Sequence, residues 1–169
     1  MKSKFRNRLI FLGILALLLA IFAMWYRATY SMEEVAAYRV NSEEMPAKIA
    51  IATQGSSFKD AIVTNIVNHY KKDSVYINVV DIADIASLSF DNYNAIVVIH
   101  TWEYGNPPEA VSTFIETHKS QGSRLIVMAT SGQGTNKIEG VDALSGESIL
   151  ENAGDYSDAI IERIEKIIQ

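Results

Sequence analysis

Apolar residues along the chain form one long run followed by several short ones. Residues 9–26 make a run of 18 residues without a charged side chain. An α-helix of this length rises about 27 Å at 1.5 Å per residue, close to the thickness of a bilayer core of about 30 Å. The pattern therefore predicts a transmembrane helix near the N-terminus.

The charges that flank this run predict its orientation. By the positive-inside rule, a basic flank stays in the cytoplasm, so the remainder of the chain should lie outside. The alternative is a cleaved signal peptide, but its apolar region is usually about 7–15 residues and is followed by small residues. Here bulky Met24, Trp25 and Tyr26 end the run, which favours a retained signal anchor in the cell membrane. The basic residues before the run are Lys2, Lys4, Arg6 and Arg8.

The chain is predicted to have four parts. The lipid bilayer is the partner expected for its anchor. We expect a basic cytoplasmic segment at 1–8, the single-pass anchor at 9–26, a solvated stalk at 27–46 and a folded domain at 47–169. Pro46 marks the start of the domain.

Short apolar runs alternate with amphipathic segments in the predicted domain. Runs rich in β-branched residues predict strands at 48–53, 74–80, 95–100 and 124–130, and a short one at 141–144. Apolar residues at helical spacing predict helices at 58–70, 109–119 and 155–168. This alternation predicts an α/β fold with a doubly wound parallel sheet, of order 2-1-3-4-5 with a short fifth strand.

Composition and charge exclude several functions. The chain has no cysteine, which excludes disulfides, thiolate catalysis and cysteine-ligated metals. Its three histidines lack metal-ligand spacing, so no metal is predicted. Residues 47–169 carry nine basic and sixteen acidic residues, a net charge of −7, which predicts no nucleic-acid partner.

Polar loops follow three of the predicted strands. Ligands of such sheets bind beyond the carboxyl ends of the strands, so residues 53–57, 100–105 and 130–135 are predicted to form one site. His100 ends a strand beside this site and is a further candidate. Thr53 and His100 stand where a receiver domain needs acidic residues, and the chain has no P-loop and no Gly-x-Ser-x-Gly motif.

These loops resemble those of the flavodoxin family. That family carries a T-G-N-T phosphate loop after its first strand, and this chain has Q-G-S-S at 54–57. Many members read P-T-Y-G-x-x-P after the third strand, where residues 102–108 read W-E-Y-G-N-P-P. A glycine-rich turn, S-G-Q-G at 131–134, follows the fourth strand.

The resemblance implies a flavodoxin-like domain over residues 47–169 with FMN as its cofactor. Gly55 would allow close approach of the FMN phosphate, which the helix N-terminus would favour. Trp102 or Tyr104 would stack on the isoalloxazine ring. The implied FMN-binding residues are Thr53, Gln54, Gly55, Ser56, Ser57, Thr101, Trp102, Tyr104, Gly105, Ser131 and Gly132.

A second motif resembles the D-x-x-[ST]-G-A-[ST] signature of proteins that carry covalent FMN. Residues 142–148 read D-A-L-S-G-E-S, with Glu147 in place of alanine. The resemblance implies Ser148 as the attachment site. The alternative is a short strand that enters a Ser/Gly turn.

The resemblance implies a membrane-tethered FMN protein that transfers electrons, with a redox protein or a quinone as its partner. Two alternatives remain open at this stage. One is a non-enzymatic flavodoxin-fold binding module with a degenerate flavin site, and the other is a flavin-dependent quinone or NAD(P)H oxidoreductase. The sequence predicts neither catalytic residues nor an oligomeric state.

Overall fold

The computed structural model describes residues 2–30 and 32–168, with the side chains of 6–25 and 32–168. The predictions for residues 1, 31 and 169, and for the side chain of Tyr26, lie outside the described residues. The chain divides into two compact units between Met32 and Glu33.

The first unit is a single helix, α1 (Lys2–Tyr30). Its segment Arg6–Trp25 is long and apolar enough to cross a membrane. Large apolar side chains along this segment are exposed, for example Leu17 at 61%. The unit is therefore compatible with a single-pass anchor, since a bilayer would cover this apolar surface.

The second unit is an α/β fold built on a mostly parallel sheet of six strands. They lie in the order β1-β3-β2-β4-β5-β6, with β1 antiparallel to β3 and the other neighbours parallel. The five parallel strands are β2 to β6. When they are numbered by themselves along the chain, they lie in the order 2-1-3-4-5 across the sheet. Unrelated doubly wound domains share this order, so it does not identify a family. The strands are β1 (Tyr38–Val40), β2 (Ala47–Thr53), β3 (Val75–Asp81), β4 (Ala95–Thr101), β5 (Leu125–Thr130) and β6 (Asp142–Gly146).

Helices cover both faces of the sheet. Two of them, α2 (Ser57–Tyr70) and α4 (Ala153–Ile168), bury apolar side chains of β2, β4 and β5 on one face. On the opposite face, α3 (Glu109–His118) and a 3-10 helix at Ile82–Ser87 pack on alternate residues of the same strands. Each central strand is therefore buried on both sides, which explains its continuous apolar sequence.

The segment from Glu33 to Pro46 was predicted as a solvated stalk, but the structure assigns it to the second unit. Its strand β1 pairs with the outer edge of β3. The Asn41 side chain donates to the Val75 carbonyl at 2.7 Å, and the Tyr76 hydroxyl donates to Glu43 at 3.0 Å. A three-residue strand carries too little alternation to be recognised in a sequence, and its stability comes from the unpaired edge of β3.

Candidate functional site

The carboxyl ends of the parallel strands bring the predicted loops to one edge of the sheet. The register pairs Thr53 with Ile99, Thr101 with Thr130, and Thr130 with Gly146. The Thr101 and Thr130 hydroxyl oxygens are 2.9 Å apart. The predicted convergence of these loops is therefore seen in the structure.

The loop after β2 uses its polar groups within the protein. The Gly55 N–H donates to the Glu33 carbonyl at 2.9 Å, and the Glu33 N–H donates to the Gly55 carbonyl at 3.3 Å. The Thr53 hydroxyl donates to the carbonyl of Gln54 at 3.1 Å. The Ser56 hydroxyl accepts from the Lys59 N–H at 3.3 Å and caps α2, while Ser57 is exposed. The backbone of Gly55, where close approach of a phosphate was predicted, is thus already paired with the backbone of Glu33.

Gln54 connects the loop after β2 to the loop after β4. Its side-chain oxygen accepts from the Thr101 N–H at 2.7 Å, and its side-chain nitrogen donates to Glu103 at 2.8 Å. Gln54 is buried, so both ends of its amide are satisfied away from solvent. The departure from the T-G-N-T motif at this position is explained by this connection.

Tyr104 and Gly105 form the tip of a tight turn. The Glu103 N–H donates to the Asn106 carbonyl at 2.7 Å, and the Asn106 N–H donates to the Glu103 carbonyl at 3.0 Å. Both central residues have positive φ, 50° at Tyr104 and 83° at Gly105. The Tyr104 ring is 92% exposed, so this turn presents it to solvent.

The loops after β5 and β6 contact each other. The Ser131 N–H donates to the Gly146 carbonyl at 3.1 Å, and Gly132 is exposed. In the motif at 142–148, Asp142 forms an ion pair with Arg163 at 3.0 Å, and Ser148 is exposed. The role predicted for Ser148 as a covalent flavin site remains untested.

Lys59 is a feature that the sequence analysis missed. Its side chain is fully buried in the first turn of α2, with Nζ 3.3 Å from the Ser56 hydroxyl. Burial lowers the pKa of Lys59 to about 8, and the charges of Asp60 and Glu103 oppose that shift. Its position three residues before Ile62 and seven before Ile66 places it on the buried face of the helix. This helical spacing is the feature of the sequence that could have identified Lys59 as a buried residue.

His100 and Trp102 carry buried nitrogens without partners. Among the side chains that the structure describes, His100 Nε2 and Trp102 Nε1 are the buried polar atoms without a hydrogen bond. His100 is fully buried, and burial lowers its pKa to about 4, so the ring is neutral at pH 7. Buried polar groups are normally paired, and each unpaired one costs about 1–3 kcal/mol. Two such atoms at the carboxyl edge mark it as the candidate site.

Comparison with known proteins gives no family. No family model matches the chain, and no curated protein is similar to it. It is similar to the solved structure of a protein described as a putative sugar-phosphate isomerase from Listeria monocytogenes, at 17% identity. That similarity covers 75% of this chain and 68% of the other, with a TM-score of 0.37. A similarity this distant does not assign an activity to this chain.

These findings correct the family and the function predicted from sequence. Membership in the flavodoxin family is wrong, because no family model matches the chain, that of the flavodoxins included. Electron transfer through a flavin, the degenerate flavodoxin-fold module and the flavin-dependent oxidoreductase depended on that membership and are withdrawn with it. The loop motifs misled because short Gly- and Ser-rich turns follow strands in many α/β folds. FMN, and a redox protein or quinone partner, remain untested predictions.

Proposed function

We propose that the chain is a membrane-anchored domain that binds a small polar molecule at the carboxyl edge of its sheet. The observation that supports this most directly is the pair of unpartnered buried nitrogens on His100 and Trp102. Open α/β sheets bind ligands at this edge, where a ligand would supply the missing hydrogen bonds. A histidine with a pKa of about 4 is a weak general base at pH 7, so the proposal is binding rather than catalysis.

Replacing His100 with Phe is expected to change the stability of the ligand-free protein by no more than about 1 kcal/mol, because removal of the unpaired Nε2 offsets the loss of the Nδ1 contact with the Thr101 carbonyl at 3.3 Å. Thermal unfolding of the full chain in detergent micelles measures this. The same experiment uses D-ribose, myo-inositol, inorganic phosphate and FMN as probes. A probe at one hundred times its Kd stabilises the wild type by about 2.7 kcal/mol, and we expect His100→Phe to lose about 0.6–1.3 kcal/mol of that gain.

His118→Phe is the matched control, since His118 Nδ1 already lies 2.9 Å from the Phe114 carbonyl in α3. It should keep the stabilisation by the probe. If no probe stabilises the wild type, the binding proposal is wrong.

For orientation, we propose that the N-terminus lies in the cytoplasm and the second unit outside. The basic residues before the apolar run support this. Protease added to sealed right-side-out vesicles is expected to digest the second unit, and vesicles of inverted orientation should protect it. The reverse pattern would contradict the orientation. Recovery of the second unit without its anchor in the soluble fraction would instead support the cleaved signal peptide.

A further inference from the structure

His100 and Trp102 lie on the same face of one extended segment. The backbone N–H of Trp102 donates to the Thr130 carbonyl at 2.8 Å, so the pairing of β4 with β5 continues beyond the end of β4. Residues two positions apart in a strand point to the same face. On this face of β4, the preceding alternate residues Ile96 and Val98 pack in the same apolar cluster as residues of α3. The two unpartnered nitrogens therefore belong to one face at the carboxyl edge.

The hydrogen-bonding role of each nitrogen follows from its chemistry. His100 Nδ1 lies 3.3 Å from the Thr101 carbonyl oxygen, which can only accept. The proton of the neutral ring is therefore on Nδ1, which leaves Nε2 as an acceptor. The indole Nε1 of Trp102 can only donate. A partner at this face must offer a donor to His100 and an acceptor to Trp102.

Charges of both signs lie near this edge. Lys59 acts on His100 from α2, and it lowers the pKa of His100 as a cation would. Glu103, held at 2.8 Å by the Gln54 amide, supplies a negative charge on the loop after β4. Because the two charges oppose each other and the histidine offers a lone pair, an anionic oxygen gains little here.

Building on the proposed function, we propose that the ligand presents uncharged hydroxyl groups to His100 and Trp102, as a polyol or a sugar does. A hydroxyl both donates and accepts, so one chemical group satisfies both nitrogens. A phosphate can also accept from Trp102, but its negative charge gains little beside Glu103 and the lone pair of His100 Nε2.

The Trp102 indole N–H provides a direct measurement. The chain has two tryptophans, so a Trp25→Phe background of the full chain in micelles leaves one indole signal for NMR. Titration with D-ribose and with myo-inositol is expected to shift this signal and the His100 ring nitrogens. Inorganic phosphate at the same concentration should shift both signals much less. His100→Phe should weaken binding of the hydroxyl probe about 3–10-fold, as loss of one hydrogen bond does, and His118→Phe should not.

The outcomes separate the two proposals. If phosphate moves the indole signal and the hydroxyl probes do not, the ligand class is wrong while the binding site stands. Should the hydroxyl probes bind equally well to the wild type and His100→Phe, the assigned role of His100 fails. If the indole signal responds to no probe, and no probe raises the unfolding temperature, both proposals fail.

Discussion

Replacing Lys59 with Met is expected to stabilise the protein at pH 7 by up to about 3 kcal/mol. The pKa of Lys59 falls to about 8 in the folded protein, from an ordinary value of 10.5. At about 1.4 kcal/mol per pKa unit, that difference measures the cost of holding the charged amine in its buried position. Met fills a similar volume without a charge, but it gives up the polar contacts of the amine, of which that with Ser56 is one, so the figure is an upper bound.

The pH dependence of stability tests the same assignment. Between pH 8 and 10.5 the unfolded chain keeps the Lys59 proton that the folded protein has released, so the free energy of unfolding of the wild type should rise with pH. Burial also raises the pKa of Tyr38, Tyr70 and Tyr76, and these contributions oppose the rise as the pH approaches 10. Urea unfolding between pH 7 and 9 therefore reports mainly on Lys59.

Lys166→Met is the matched control, because the Lys166 side chain is 67% exposed. It should leave the slope of stability against pH unchanged, whereas Lys59→Met should flatten it. Equal slopes in the wild type and Lys59→Met would show that the buried amine does not titrate in this range.

Replacing Gly55 with Val is expected to detach the segment at Glu33 and to lower the free energy of unfolding by about 2–3 kcal/mol. A Cβ at Gly55 would lie 2.7 Å from the Glu33 carbonyl oxygen and 2.9 Å from the Glu33 Cβ. Both hydrogen bonds between these backbones would break, at about 0.5–1.5 kcal/mol each, in addition to the steric strain. The Val35 N–H, which donates to Asp81 at 2.9 Å, should lose protection with them.

Hydrogen exchange at the Glu33 and Val35 amides, together with urea unfolding, measures the effect. Gly132→Val is the control, since a Cβ there meets nothing within 4 Å. It should change stability by no more than about 0.5 kcal/mol. If Gly55→Val keeps the Glu33 and Val35 amides protected, the contact between the two backbones does not restrict this position.

At Gly55 the sequence correctly indicated that another group approaches the backbone closely, but it did not identify that group. From the sequence, the group expected to approach Gly55 closely is a phosphate. In the structure, the group that approaches Gly55 is the backbone of Glu33, 22 residues earlier in the chain. A glycine in a strand-to-helix turn indicates close approach, but the sequence does not state what approaches.

Patterns that are local in the chain were read correctly from the sequence. The 18-residue apolar run predicted a helix long enough to span a membrane, and the structure contains it as α1. The apolar runs and helical spacings predicted an α/β domain with a mainly parallel sheet, and this is confirmed. These features follow from the repeat of side chains along one element, which a sequence displays directly.

Tertiary structure alone decided the chemistry of the sheet edge. Asp81, the last residue of β3, is buried and accepts from Val35, 46 residues away. The partners of Gln54 are 47 and 49 residues away, and Lys59 is covered by the fold around it. Whether a polar group finds a partner depends on neighbours that are distant in the chain. The sequence therefore determined the elements, while packing decided which polar groups at their ends are left to bind a ligand.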